Sequence, residues 1–135
     1  MILVDTSVWV DYLRGSDTVA TTRLRELLAT RPSEVVTCEP VAMELLAGAG
    51  DDLAVARLER LTTGLPSVTL DPRLDFRAAA TLLRQARRRG ETVRSLVDCL
   101  IAAVALRHDV TVMHKDRDFD VLAPLVGLHV VSCRG

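Results

Sequence analysis

The stretch Arg94-Ser95-Leu96-Val97-Asp98-Cys99-Leu100-Ile101-Ala102-Ala103-Val104-Ala105-Leu106 decides the fold. From Leu96 onward it is apolar on every side except at Asp98. A helix that is hydrophobic all round belongs in a core. An ionised, unpaired carboxylate in its first turn costs several kcal/mol there. Three readings of Asp98 are open. It can bond the free amides at the helix N-terminus, where the dipole also favours it. It can pair with Arg94, one turn back. Or it can hold a cation together with other acids.

The rest of the chain has to bury this helix. At 135 residues the expectation is one domain, residues 1–135, large enough for a real core. Hydrophobic residues make up 49%, which excludes a disordered chain, and aromatics only 3%, so the core is aliphatic and rich in alanine. The net charge of -1 neither requires nor excludes a nucleic-acid partner. Cys38, Cys99 and Cys133 stand far apart in apolar surroundings, and their spacing fits neither a zinc site nor a disulfide framework. They read as small buried hydrophobes in a reducing compartment. No apolar run reaches transmembrane length, because Asp98 and Arg107 bound the longest, and the N-terminus is unlike a signal peptide. A cytoplasmic protein without a membrane partner is the expectation.

Working outward, Met1 to Val4 is a short apolar run ending at Asp5, the pattern of a buried central strand. Thr6 or Ser7 is placed to cap a helix from Val8 to Leu13. An acid at the carboxyl end of a buried strand, just before a helix, is where open α/β sheets put their sites. The alternative is that Asp5 only caps the helix. Thr18 to Leu28 reads as an amphipathic helix and Glu34 to Cys38 as a second strand. Pro40 opens a short helix over Val41 to Ala47, in which Glu44 is the lone charge. Asp51 to Leu61 is a further helix, Ser67 to Leu70 a third strand. Asp71 or Pro72 begins a long helix ending near Arg89, whose tail Arg87-Arg88-Arg89 is a solvated end or a phosphate contact. Thr111 to His114 is the fourth strand. Asp118 is expected to cap a helix from Phe119 to Leu125, leaving Asp116 without a structural duty. Leu128 to Ser132 is a fifth, edge strand. Trp9 and Tyr12, one turn apart, pack in the core or in a dimer face. The three histidines lack ligand spacing and are expected to be structural or exposed.

The alternation of strands and helices predicts an α/β fold, a parallel sheet of about five strands with helices on both faces. Right-handed crossovers can then bring Asp5, Glu44, Asp98 and Asp116 to one edge of the sheet. Four acids in a small pocket cannot all stay ionised unaided. A divalent cation resolves the repulsion, and a set without His or Cys suits a hard ion, Mg²⁺ or Mn²⁺, rather than zinc. Such a centre fits hydrolysis of phosphodiesters. Thr6 and Ser7 offer hydroxyls beside Asp5 to orient a carboxylate or a water. Arg94 can hold a phosphate or tie down one of the acids.

Four short motifs, in this order, carry a resemblance. Ile2-Leu3-Val4-Asp5-Thr6-Ser7 resembles the opening of the PIN-domain ribonucleases, and Glu39-Pro40-Val41-Ala42-Met43-Glu44-Leu45 their second acidic motif. Asp98-Cys99-Leu100-Ile101-Ala102-Ala103 is similar to the third, and His114-Lys115-Asp116-Arg117-Asp118-Phe119 to the last. The size resembles bacterial VapC toxins of type II toxin–antitoxin modules. The resemblance implies a three-layer α/β/α sandwich and Mg²⁺- or Mn²⁺-dependent endoribonuclease cleavage of structured RNA, a transfer RNA or a ribosomal RNA loop. It also implies a homodimer, silenced by a VapB-type antitoxin whose C-terminal segment enters the active-site groove. By motif, Asp5, Glu44, Asp98 and Asp116 are the metal-binding acids. The Asp-Arg-Asp spacing lets Asp118 compete with Asp116, and Thr6 and Arg94 stand as supporting residues.

Two rivals share parts of this pattern. A haloacid-dehalogenase-like phosphatase also begins with a strand ending in Asp, but wants a second Asp where Ser7 stands. A receiver-like signalling domain needs paired acids near the first strand and a phospho-accepting Asp in mid-chain.

Overall fold

The computed structural model describes residues 1–134. The chain runs β1 (Ile2–Val4), α1 (Thr6–Leu13), α2 (Val19–Thr30), β2 (Val35–Val36), α3 (Glu39–Ala47), α4 (Asp52–Gly64), α5 (Asp75–Arg88), α6 (Leu96–His108), β3 (Thr111–His114), α7 (Arg117–Val126) and β4 (Val130–Ser132). The strands form one sheet in the order β2-β1-β3-β4, and every pairing is parallel. Leu3 of β1 pairs with Val36 of β2 on one side and Val112 of β3 on the other. The central strands are buried, as a sheet covered by helices on both faces demands. Helix α1 packs on α2, while α5, α6 and α7 pack on one another. With right-handed crossovers these are the two outer layers of a three-layer sandwich.

Among the described residues, four strands stand where about five were expected. Ser67 to Leu70 makes only one parallel bridge, Thr37 with Ser67. Two of its backbone groups are taken by side chains instead. The Leu70 amide donates to the Glu39 carboxylate at 3.1 Å. The Thr69 carbonyl accepts from Arg107 Nη2 at 2.6 Å and lies 2.8 Å from His108 Nε2. A ladder cannot continue through groups already bonded.

Helix α6 is the expected core element. From Asp98 to Ala105 every residue is buried. Asp109 closes it in the left-handed conformation at φ 53°, one of the few non-glycine residues that visit that region readily. The long helix expected from Asp71 begins at Asp75, because Asp71 instead forms a side-chain turn, accepting from the Arg73 amide at 2.8 Å. Trp9 is in the core and meets Tyr12 edge to face, with centroids 5.7 Å apart. Among the described residues no helix is long and apolar enough to cross a membrane.

Candidate active site

The carboxyl ends of β1 and β3 and the start of α6 converge. Asp5, Glu44 and Asp98 can each direct a carboxylate oxygen to within 4.8 Å of the others; Asp98, Asp116 and Asp118 form a second such group. Asp98 belongs to both. Acids from both ends of the chain therefore gather around Asp98.

Each acid arrives differently. Asp5 is the N-cap of α1, so neither Thr6 nor Ser7 is. Its Oδ2 accepts from the Ser7 amide at 3.1 Å and the Ser7 hydroxyl at 2.5 Å, while Oδ1 is buried without a partner. One oxygen caps; the other is left for something else. Ser7 Oγ in turn accepts from the Lys115 amide at 3.1 Å, tying the end of β1 to the end of β3. Glu44, half-buried on α3, accepts from the Thr6 hydroxyl at 2.8 Å.

Asp98 neither caps α6 nor pairs with Arg94. Ser95 is the cap, its hydroxyl accepting from the Asp98 amide at 3.3 Å. Asp98 is 4% exposed and its Oδ2 has no hydrogen-bond partner among the described residues.

Asp116 and Asp118 exchange the duties read from sequence. Asp116 caps α7, accepting from the Asp118 amide at 2.9 Å, and the helix starts at Arg117 rather than Phe119. Asp118 reaches back to the loop before α6. Its two oxygens accept from the Arg94 amide at 3.0 and 3.1 Å and from the Ser95 amide at 2.9 Å. The backbone of Arg94, not its guanidinium, thus secures an acid. The Asp-x-Asp spacing alone cannot separate these roles, because either acid can cap the same helix.

His114 joins the site without being a ligand candidate. It is fully buried, its Nδ1 accepts the Asp116 amide at 3.1 Å, and its Nε2 lies 3.2 Å from Asp120. Burial holds its pKa below the usual imidazole value. A neutral ring with a bare Nδ1 is the form that can accept that amide.

The electrostatics follow from burial and like charge. Burial pushes Asp5 up to about 6, against the two hydrogen bonds from Ser7 and with the charges of Glu44 and Asp116. Asp98 is pushed up to about 9, first by burial, then by its hydrogen bond with the Asp118 carboxyl and by the charges of Asp5, Asp116 and Asp118. These carboxyls are costly to ionise unless a cation shares the pocket. The donor set is oxygen only, and two buried oxygens lack partners, so the residues present fit a hard divalent ion.

The fold and site define a class, the α/β domains with a parallel sheet and acids gathered at its carboxyl edge. The profile of the PIN domain matches residues 2–124, and the chain belongs to that family. It is 52% identical to ribonuclease VapC11 of Mycobacterium tuberculosis over 99% of this chain and all of that protein, which places it in the VapC branch. Solved structures share the fold. VapBC2 from Rickettsia felis, bound to a DNA fragment from their promoter, has a TM-score of 0.74 at 16% identity, covering 98% of both chains. VapC20 of M. tuberculosis, described as a sarcin-ricin loop cleaving toxin, has a TM-score of 0.68 at 25% identity, covering 89% of this chain and 93% of that one.

Proposed function

We propose that the protein is a Mg²⁺- or Mn²⁺-dependent endoribonuclease toxin that hydrolyses phosphodiester bonds in structured RNA, a transfer RNA or a ribosomal RNA loop. The observation that carries this reading is the pair of buried, partnerless oxygens, Asp5 Oδ1 and Asp98 Oδ2, inside a cluster of acids. Asp5, Glu44, Asp98 and Asp116 hold the ion. When bound, it supplies an activated water and neutralises charge on the phosphodiester.

The chain's own residues set the stage for that chemistry. Ser7 fixes which oxygen of Asp5 turns away from the α1 amides. Thr6 orients Glu44. Asp118, whose oxygens are already committed to backbone amides, fastens the loop before α6 and leaves ligation to Asp116. Ser7 also occupies the position where a haloacid-dehalogenase-like phosphatase needs its second acid.

The relatives support the partners. A toxin-antitoxin complex from Klebsiella pneumoniae shares this fold, and we assign this chain a VapB-type antitoxin in the same way. As with VapC toxins generally, it acts as one domain, residues 1–135, in a homodimer in the cytoplasm, where Cys38, Cys99 and Cys133, all free and buried, stay reduced.

Purified protein incubated with bulk transfer and ribosomal RNA tests the reading. Discrete cleavage products are expected with Mg²⁺ or Mn²⁺ and none with a chelator. An Asp5→Asn variant, folded by circular dichroism, is expected to cut nothing. Equal cleavage by that variant, or cleavage indifferent to the chelator, would overturn the proposal.

A further inference from the structure

An anionic substrate must approach an anionic pocket. Something at the rim has to offset the repulsion, and one corner of the molecule is built of the opposite charge. Residues 84–94 carry Arg84, Arg87, Arg88, Arg89 and Arg94 against the single acid Glu91, in a chain whose net charge is -1.

The fold puts this corner beside the acids. Asp75, at the start of α5, pairs with Arg107, near the end of α6, at 2.8 Å. The two helices are therefore antiparallel, and the arginine-rich end of α5 shares an end with Asp98. Residues 89–95 join them. That connection is fastened to the site at two points. The Asp118 carboxylate holds the Arg94 and Ser95 amides, and Arg117 Nη1 donates to the Thr92 carbonyl at 3.0 Å.

The arginine side chains here are available. Arg87, Arg88, Arg89 and Arg94 are exposed and form no ion pair among the described residues. Arg117 has, besides its bond to the Thr92 carbonyl, a 3.8 Å approach to Glu91. Between the end of α5 and α7 lies a groove of about 260 Å³ lined by Gln85, Arg88, Arg89 and Leu125. The Gln85 side-chain oxygen is buried without a partner. Helix α7 spans this groove and the acids, about 15 Å for its ten residues.

We propose that Arg87, Arg88, Arg89, Arg94 and Arg117 form a phosphate-binding track that leads RNA along α7 into the acidic pocket. The proposal rests on the ribonuclease reading and names the surface that reading leaves open. Guanidinium groups suit it, because their fixed fork matches phosphate oxygens.

The experiment is RNA binding with the chelator present, so that no cutting occurs. Fluorescein-labelled bulk transfer RNA is titrated with the full-length protein across a salt series. Each lost phosphate contact should reduce the log–log salt slope by roughly 0.7 to 0.9. Arg87→Ser/Arg88→Ser/Arg89→Ser should lower it by about two units, and Arg94→Ser by about one. Arg23→Ser/Arg25→Ser, exposed on α2, should leave it unchanged. A triple variant with the wild-type slope, or the same loss from the α2 pair, would overturn the track. So would a triple variant that binds RNA normally but no longer binds an acidic antitoxin segment. If the wild type binds with a steep slope and never cuts in Mg²⁺, the ribonuclease reading fails and the track stands.

Discussion

The two ends of α6 lie against two buried aspartates in opposite states. At the C-terminal end, Asp75 is 1% exposed and fully answered. It accepts from Arg107 Nε at 2.9 Å, Arg107 Nη2 at 2.8 Å and the Asp71 amide at 2.7 Å. The guanidinium holds its carboxyl below the usual range. At the N-terminal end, Asp98 is 4% exposed, has an oxygen with no partner, and is pushed up to about 9. Burial is nearly equal, so burial does not separate the two acids. The missing partner does. The buried carboxylate that clamps α5 to α6 is satisfied, and the one at the proposed metal site keeps an oxygen free.

The largest test of this contrast is activity. Asp98→Asn is expected to reduce RNA cleavage by at least about 10³-fold, the scale seen on removing one member of a catalytic set. Asp75→Asn should leave cleavage per folded molecule intact. Equal losses from the two, in initial-rate assays normalised to folded protein, would erase the distinction.

The next test is stability against pH without metal. A raised carboxyl pKa means the folded state holds protons more tightly than the unfolded one. The stabilisation is complete below the unfolded value, near 4, and is lost as pH rises toward 6 for Asp5 and toward 9 for Asp98. Asp75 has the opposite sign. Its contribution is present above the unfolded value and is lost as pH falls through its lowered folded value. Metal-free wild type should therefore lose Tm steadily between pH 5 and 9, by roughly 10 °C or more. Asp98→Asn should flatten most of that fall, and saturating Mn²⁺ should abolish it. Calorimetry across the series is the check, and a slope unchanged by Asp98→Asn would refute an origin in the Asp98 carboxyl.

A smaller loss is expected at the clamp itself. Asp75→Asn should lower Tm by roughly 3–6 °C at pH 7, independently of metal. The smallest effect belongs to Thr6→Val. Removing the hydroxyl that orients Glu44 costs one hydrogen bond, about 1 kcal/mol. Mn²⁺ affinity by titration calorimetry should fall severalfold, with the fold unchanged.

Much of this was legible in the sequence. The all-apolar surround of Asp98 announced a core helix with a misplaced charge. The strand–acid–helix pattern at Asp5 placed a site at a sheet edge. What escaped was pairing between distant side chains. Nothing around Asp75 or Arg107 marks them as partners 32 residues apart. The strand expected at Ser67 to Leu70 dissolved because Glu39, Arg107 and His108 claimed its backbone groups. Local propensity cannot register competition from residues that are remote in sequence.

By itself, then, the order of residues determined most of the element types, the parallel topology and the short roll of acids from which a site could be drawn. Periodicity, turn chemistry and the handedness of crossovers are local or chiral properties, and they are written along the chain. Only the tertiary structure decided what each acid does. Asp116 and Asp118 stand two residues apart with equal claims, and one caps α7 while the other reaches across to the Arg94 and Ser95 amides. The physical reason is that a carboxylate's role is set by the donors that surround it in space, and for Asp118 those donors stand on a loop more than twenty residues away.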